Sequence, residues 1–103
     1  MRILPEWVAF EWDAGNLDKN WVKHKVRNQE AEEVFFDPQA LIFEDSGHSE
    51  SEKRHMLWGA TGRGRKLTVV FTLRSGKIRV ISARDMHRKE KKAYEKLKEN
   101  PEV

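Results

Sequence analysis

Three observations on the 103-residue sequence predict an α+β domain: an antiparallel sheet with two N-terminal helices and a C-terminal helix. Two segments between Leu17 and Phe35 carry apolar residues at helical spacing. Three β-prone runs between Arg54 and Arg84 are divided by short glycine-bearing links. The tail, residues 86–99, is helical in composition.

The elements follow in chain order. Trp7-Val8-Ala9-Phe10-Glu11-Trp12 is short, aromatic and β-prone, and reads as a first strand. Asp13-Ala14-Gly15-Asn16 reads as a turn, with Asn16 as the N-cap of a helix from 17 to about 25. Leu17, Trp21 and His24 stand at i, i+4 and i+7 and form its expected inner face. A second helix starts near Asn28, another cap candidate, with Glu30 in its first turn and Ala31, Val34 and Phe35 as its apolar stripe. Asp37-Pro38 ends it, because the residue before proline is driven out of the helical region. Residues 40–43 read as a strand and the polar residues 44–52 as a loop. Strands are expected at about 54–60, 66–73 and 78–84, and a final helix follows with Asp85 as its candidate cap.

Length allows one domain, 1–103, with a modest core. The absence of cysteine excludes disulfides, a zinc ribbon and a thiol nucleophile, and fits the reducing cytoplasm. Neither a signal peptide nor a membrane span is expected. The net charge of +3 hides an asymmetry. Residues 1–52 hold 5 Lys and Arg against 12 Asp and Glu, whereas residues 53–103 hold 15 against 5. Such a basic half attracts phosphate, acidic protein or anionic membrane, unless the acidic half folds against it.

Ser75-Gly76 suits a two-residue hairpin link, which sets a register. Arg74 then faces Lys77, Thr72 faces Arg79, Val70 faces Ile81, and Leu67 faces Arg84. Alternation puts Leu67, Val69, Phe71, Leu73, Ile78 and Val80 on a core face that ends in Ser82 and Arg84. Thr68, Val70, Thr72, Arg74, Lys77, Arg79, Ile81 and Ala83 take the other face. Arg63 and Arg65 enter from the glycine-flanked loop. Arginines rising from a sheet can hold phosphate oxygens in pairs, so Arg54, Arg63 and Arg74 are candidate RNA-binding residues. Equally, Arg79 and Arg84 could pair with internal carboxylates such as Glu52 or Glu90. Glu90 shares a stripe with Met86, Ala93, Tyr94 and Leu97, and a carboxylate there wants a cation, which favours a structural role.

Metal-ligand spacing is absent, and no cofactor motif occurs: there is no Gly-x-Ser-x-Gly and no phosphate loop. Cleaving RNA without metal needs a base near the 2′-hydroxyl, a cation for the phosphorane and an acid for the leaving 5′-oxygen. Lys23, His24, Glu52, Arg54, Arg65, Arg79 and Arg84 could supply these. His24 reads either as a core-edge histidine or as a general acid–base. Glu52 and Arg54 fall on one side of a strand start, where they can also pair with each other. His48 reads as a turn residue, and His55 and His87 as surface residues. The tryptophans read mainly as core, with base stacking by Trp58 or Trp21 as the other use.

Several ordered pieces resemble the BrnT family of type II toxins. They are Phe10-Glu11-Trp12-Asp13, Lys19-Asn20 with Lys23-His24, Ala31-x-x-Val34-Phe35-x-Asp37-Pro38, His48-Ser49-x-x-Glu52-x-Arg54, Gly59-x-Thr61, Gly64-Arg65-x-Leu67, and Arg79-x-Ile81-Ser82-Ala83-Arg84 with Glu90 and Tyr94. The resemblance spans about residues 8 to 95. It implies a RelE-like ribonuclease toxin fold, metal-independent endoribonuclease activity and growth arrest. It also implies a cognate antitoxin with a ribbon–helix–helix DNA-binding region, operator DNA bound only through the joint complex, and a toxin dimer within it. Lys23, His24, Glu52, Arg65, Arg79 and Arg84 are the catalytic positions it suggests. A non-catalytic module that binds RNA or antitoxin is the alternative. Two departures stand out: Lys25 where the family usually has glycine, and Phe71 where tyrosine is common.

Overall fold

A computed structural model describes residues 9–12, 18–45 and 53–99. The elements are β1 (Phe10–Glu11), α1 (Lys19–His24), α2 (Asn28–Glu33) with a 3-10 turn at Val34–Phe36, β2 (Leu41–Asp45), β3 (Arg54–Ala60), β4 (Lys66–Arg74), β5 (Lys77–Asp85) and α3 (Arg88–Glu99). The order is the expected one. The predicted turn at residues 13–16 with its Asn16 cap, Leu17, and the loop residues His48 and Glu52 lie outside the described residues. Two cap assignments shift: Arg27 is the N-cap of α2, with Asn28 its first helical residue, and Asp85 ends β5 instead of opening α3.

The five strands form one sheet in the order β1-β5-β4-β3-β2. From β2 to β5 the pairing is antiparallel. The expectation of an antiparallel sheet fails at one pair: β1 lies parallel to β5, with Phe10 opposite Ile78 and Glu11 opposite Arg79, so the sheet is mixed. No tight turn joins β1 to β5, so nothing local dictates their relative direction.

The hairpin register holds near the turn, where Arg74 faces Lys77 and Thr72 faces Arg79. It then slips. Phe71 faces Val80, yet Val70 faces Ser82, so Ile81 is the extra residue of a bulge. Beyond it Val69 faces Ala83 and Thr68 faces Arg84. The bulge swaps the faces from Ser82 onward. Ala83 joins the core face, and Ser82 and Arg84 leave it.

That core face holds Leu57, Leu67, Val69, Phe71, Ile78, Val80 and Ala83, packed against Val26, Ala31, Val34 and Phe35. The ring of Phe35 meets Phe71 edge-on at 4.9 Å. Alternation sets Arg54, Met56, Trp58, Thr68, Val70, Thr72, Arg79 and Arg84 on the opposite face. There α3 covers one end: Glu90 accepts the Thr68 hydroxyl at 3.0 Å. Further along α3, the Tyr94 hydroxyl donates to Asp37 Oδ2 at 3.1 Å, which also accepts the Ala60 N–H.

Among the described residues, β1 pairs with β5 only at Ile78 and Arg79, and no strand lies beside the rest of the outer edge of β5. Side chains of α1 complete it. Lys19 donates to the Ile81 carbonyl, and Asn20 Oδ1 accepts the Ala83 N–H at 3.0 Å. This changes the expected inner face of α1. Asn20 is its buried residue, whereas Trp21 is 41% exposed. A helix laid along a strand edge must offer polar atoms to unpaired backbone, and an indole cannot accept an N–H.

Candidate functional site

Lys19 and Lys23 stand one turn apart on the same side of α1. The charges of Lys23, Arg54 from β3 and Arg79 from β5 all act on Lys19. Burial, followed by those three cations, lowers the Lys19 pKa below its ordinary 10.5. The sheet explains the convergence. Arg79 faces Thr72 across β4, and Arg54 stands one residue before the His55–Phe71 pair, level with Thr72. On the other flank of Arg79 lies Glu11 of β1. Thr72 Oγ1 and Glu11 Oε1 are buried and have no hydrogen-bond partner among the described residues. Four basic side chains thus gather around a polar row, an arrangement that suits an anion with several oxygens.

Of the nine candidates from the sequence, Lys23, Arg54 and Arg79 meet here. Arg65, Arg84 and His24 are found toward the other end of the sheet, some five residues or about 16 Å along β5 from Arg79. Arg84 donates to both oxygens of Glu90, at 2.8 and 3.0 Å. Arg65 donates to Asp85 at 2.7 and 3.1 Å, to Glu30 at 3.2 Å, and to the carbonyls of Lys25 and His24. These bonds hold the Asp85 carboxyl below the usual carboxylate range. His24 lies close enough to Asp85 for its charge to be felt there.

Two of the carboxylates that take these arginines, Glu30 and Glu90, share one local geometry. Glu30 is the third residue of α2 and accepts the Arg27 N–H at 3.0 Å. Glu90 is the third residue of α3 and accepts the His87 N–H at 2.8 Å. Each glutamate reaches back to the N–H of the residue before its helix, the carboxylate half of a capping box, and also receives an arginine, Arg65 or Arg84. Burial alone would raise the Glu90 pKa, but Arg84, the His87 N–H and the Thr68 hydroxyl outweigh it and hold it at about 2.

Arg74 is exposed near the tip of the β4–β5 hairpin. Arg63, on the β3–β4 turn, borders a cleft of about 390 Å³ with Trp21, Arg27 and Arg65. That cleft is separate from the cation cluster. Glu52 lies outside the described residues. Sequence reading passed over Lys19, Thr72 and Glu11 as site residues. The i, i+4 spacing of Lys19 and Lys23 was the available signal for the first.

Residues 12–90 match the family described as "Ribonuclease toxin, BrnT, of type II toxin-antitoxin system". No curated protein matches the chain. A match over most of the chain, with the resembling motifs distributed along a continuous α+β framework, is enough to assign membership: this chain belongs to the BrnT family, ribonuclease toxins of type II toxin–antitoxin systems.

Proposed function

We propose that the chain cleaves RNA internally without a metal ion, and that the reaction occurs at the cluster of Lys19, Lys23, Arg54 and Arg79. The single observation that carries this reading is their convergence from one helix and two strands. A scissile phosphate gains a negative charge as the phosphorane forms, and fixed cations stabilise that charge more than the ground state. In this reading Arg65 and Arg84 hold the frame, because their guanidinium groups brace helix starts against the sheet. Glu52, outside the described residues, is kept as a proposed catalytic position on the family resemblance alone.

The toxin acts in the cytoplasm, where its RNA target is. Its partner is a cognate antitoxin with a ribbon–helix–helix DNA-binding region, and the joint complex, containing a toxin dimer, represses the operon. No helix among the described residues is long and apolar enough to cross a membrane.

The test is cleavage of a labelled RNA by the purified chain in excess EDTA. Expected products carry a 2′,3′-cyclic or 3′ phosphate and a free 5′-hydroxyl. Cleavage abolished by EDTA contradicts the metal-free mechanism. Salt-sensitive binding without any cleavage would instead indicate a non-catalytic RNA-binding module.

A further inference from the structure

Lys19 has a second property besides its place among cations. It donates a hydrogen bond to the carbonyl of Ile81, the bulge residue of β5. One N–H is therefore directed at the strand edge, which orients the rest of the amine. Lys23 is exposed at the following turn of the same helix. Among the described residues, the charges that act on Lys19 are those of Lys23 from α1, Arg54 from β3 and Arg79 from β5. Glu11 of β1 is the carboxylate that register brings beside Arg79.

We propose that Lys19 is the proton-accepting catalytic residue of RNA cleavage, an inference that rests on the ribonuclease reading above. The neutral Lys19 amine takes the proton of the 2′-hydroxyl. The 2′-oxygen forms a bond to the adjacent phosphorus, and the bond from phosphorus to the 5′-oxygen breaks. The departing oxygen takes a proton from the Lys23 ammonium, and Arg54 and Arg79 carry the phosphorane charge. The products are a 2′,3′-cyclic phosphate and a 5′-hydroxyl. Lys19 then returns its proton to Lys23 through solvent, so the step balances without an oxidant or reductant.

Burial and like charge favour the neutral amine, as a basic lysine near neutral pH requires. A lowered pKa has a definite sign here. The neutral fraction grows as pH rises, so the cleavage rate should climb from neutral pH and level off below 10.5.

Lys19→Arg separates this role from strand-edge closure. Arginine keeps the charge and a donor for Ile81, but titrates only above about 12. The expected result is an unchanged melting temperature, unchanged affinity for an RNA made uncleavable by a 2′-deoxy substitution, and a loss of cleavage of about 100-fold or more. The rising limb of the pH profile should vanish with it. Lys19→Gln, which keeps an N–H donor without a titrating amine, should lose as much and decides the matter where the arginine variant does not fold. Cleavage by either folded variant within about threefold of the parent, with its pH profile, overturns the proposal. So does a parent rate that stays flat from about pH 6 to 9. A parent chain that cleaves no RNA defeats the ribonuclease reading as well, whereas a cleaving parent matched by Lys19→Arg defeats only the role of Lys19.

Discussion

Lys25 closes α1 with φ 57° and ψ 37°, in the left-handed region where a side chain costs about 1 kcal/mol. Its N–H bonds back to the carbonyl of Trp21 at 3.0 Å. The sequence marked this residue as the one lysine where the BrnT family usually has glycine, and the backbone shows why glycine suits it. Lys25 also sits 5.3 Å from the Trp21 ring centroid, a contact that offsets part of the strain. Lys25→Gly should therefore stabilise the fold by about 0.5 kcal/mol, raising the melting temperature by roughly 3 °C. Lys25→Val should lower it, since a β-branched residue resists positive φ. Thermal unfolding checks both, and a lower melting temperature for Lys25→Gly contradicts the cap assignment. The second departure, Phe71, proves to be fully buried between Phe35 and the His55 ring, on the core face away from the cation cluster. By contrast, no single-residue rule could have singled out Lys19. Its importance comes from a strand edge and two arginines distant in sequence.

Helices and strands were largely legible because their signals are local: apolar spacing, the Asp37-Pro38 stop and the Ser75-Gly76 turn. The hairpin turn also fixed the Thr72–Arg79 pair, and with it the face on which Arg79 stands. The bulge at Ile81 was not legible, since an extra residue in a strand leaves no compositional mark, and it moved Arg84 to the other face. There Arg84 meets the capping glutamate of α3, the cation that the Glu90 stripe had called for. The pair makes a prediction with a pH signature. Glu90 titrates near 2 in the fold against an ordinary 4.5, so its contribution is fully present above about 4.5 and is lost as pH falls toward 2. Glu90→Gln should cost about 2–3 kcal/mol at pH 7, and the gap to the parent should close across that acid window. Denaturant unfolding at pH 7 and pH 3 measures it, and an equal gap at both contradicts the linkage. Arg65→Ala should likewise cost about 2–3 kcal/mol, because it leaves Glu30 and Asp85 without their cation and frees the carbonyls that end α1. Full stability of that variant would show that the brace is dispensable.

For the molecule as a whole, the lopsided charge resolves into two uses of arginine. Acidic residues of the first half meet basic residues of the second at Glu30–Arg65 and Glu44–Lys53, as charge balance suggested. Yet Lys19, Lys23, Arg54 and Arg79 are drawn from both halves and gather where like charge accumulates. Composition could not reveal this, because the parallel β1–β5 pair and the α1 seal along β5 create that end of the sheet only in three dimensions. The proposed division, with some arginines bracing the frame and others acting on phosphate, is tested most directly by comparing Arg79→Ala with Glu90→Gln. The measurement is RNA cleavage in EDTA per folded molecule, alongside thermal unfolding of the same samples. Arg79→Ala is predicted to melt close to the parent and lose about 100-fold in cleavage, whereas Glu90→Gln melts lower and cleaves like the parent while folded. Cleavage retained by Arg79→Ala, or lost by folded Glu90→Gln, would contradict the division.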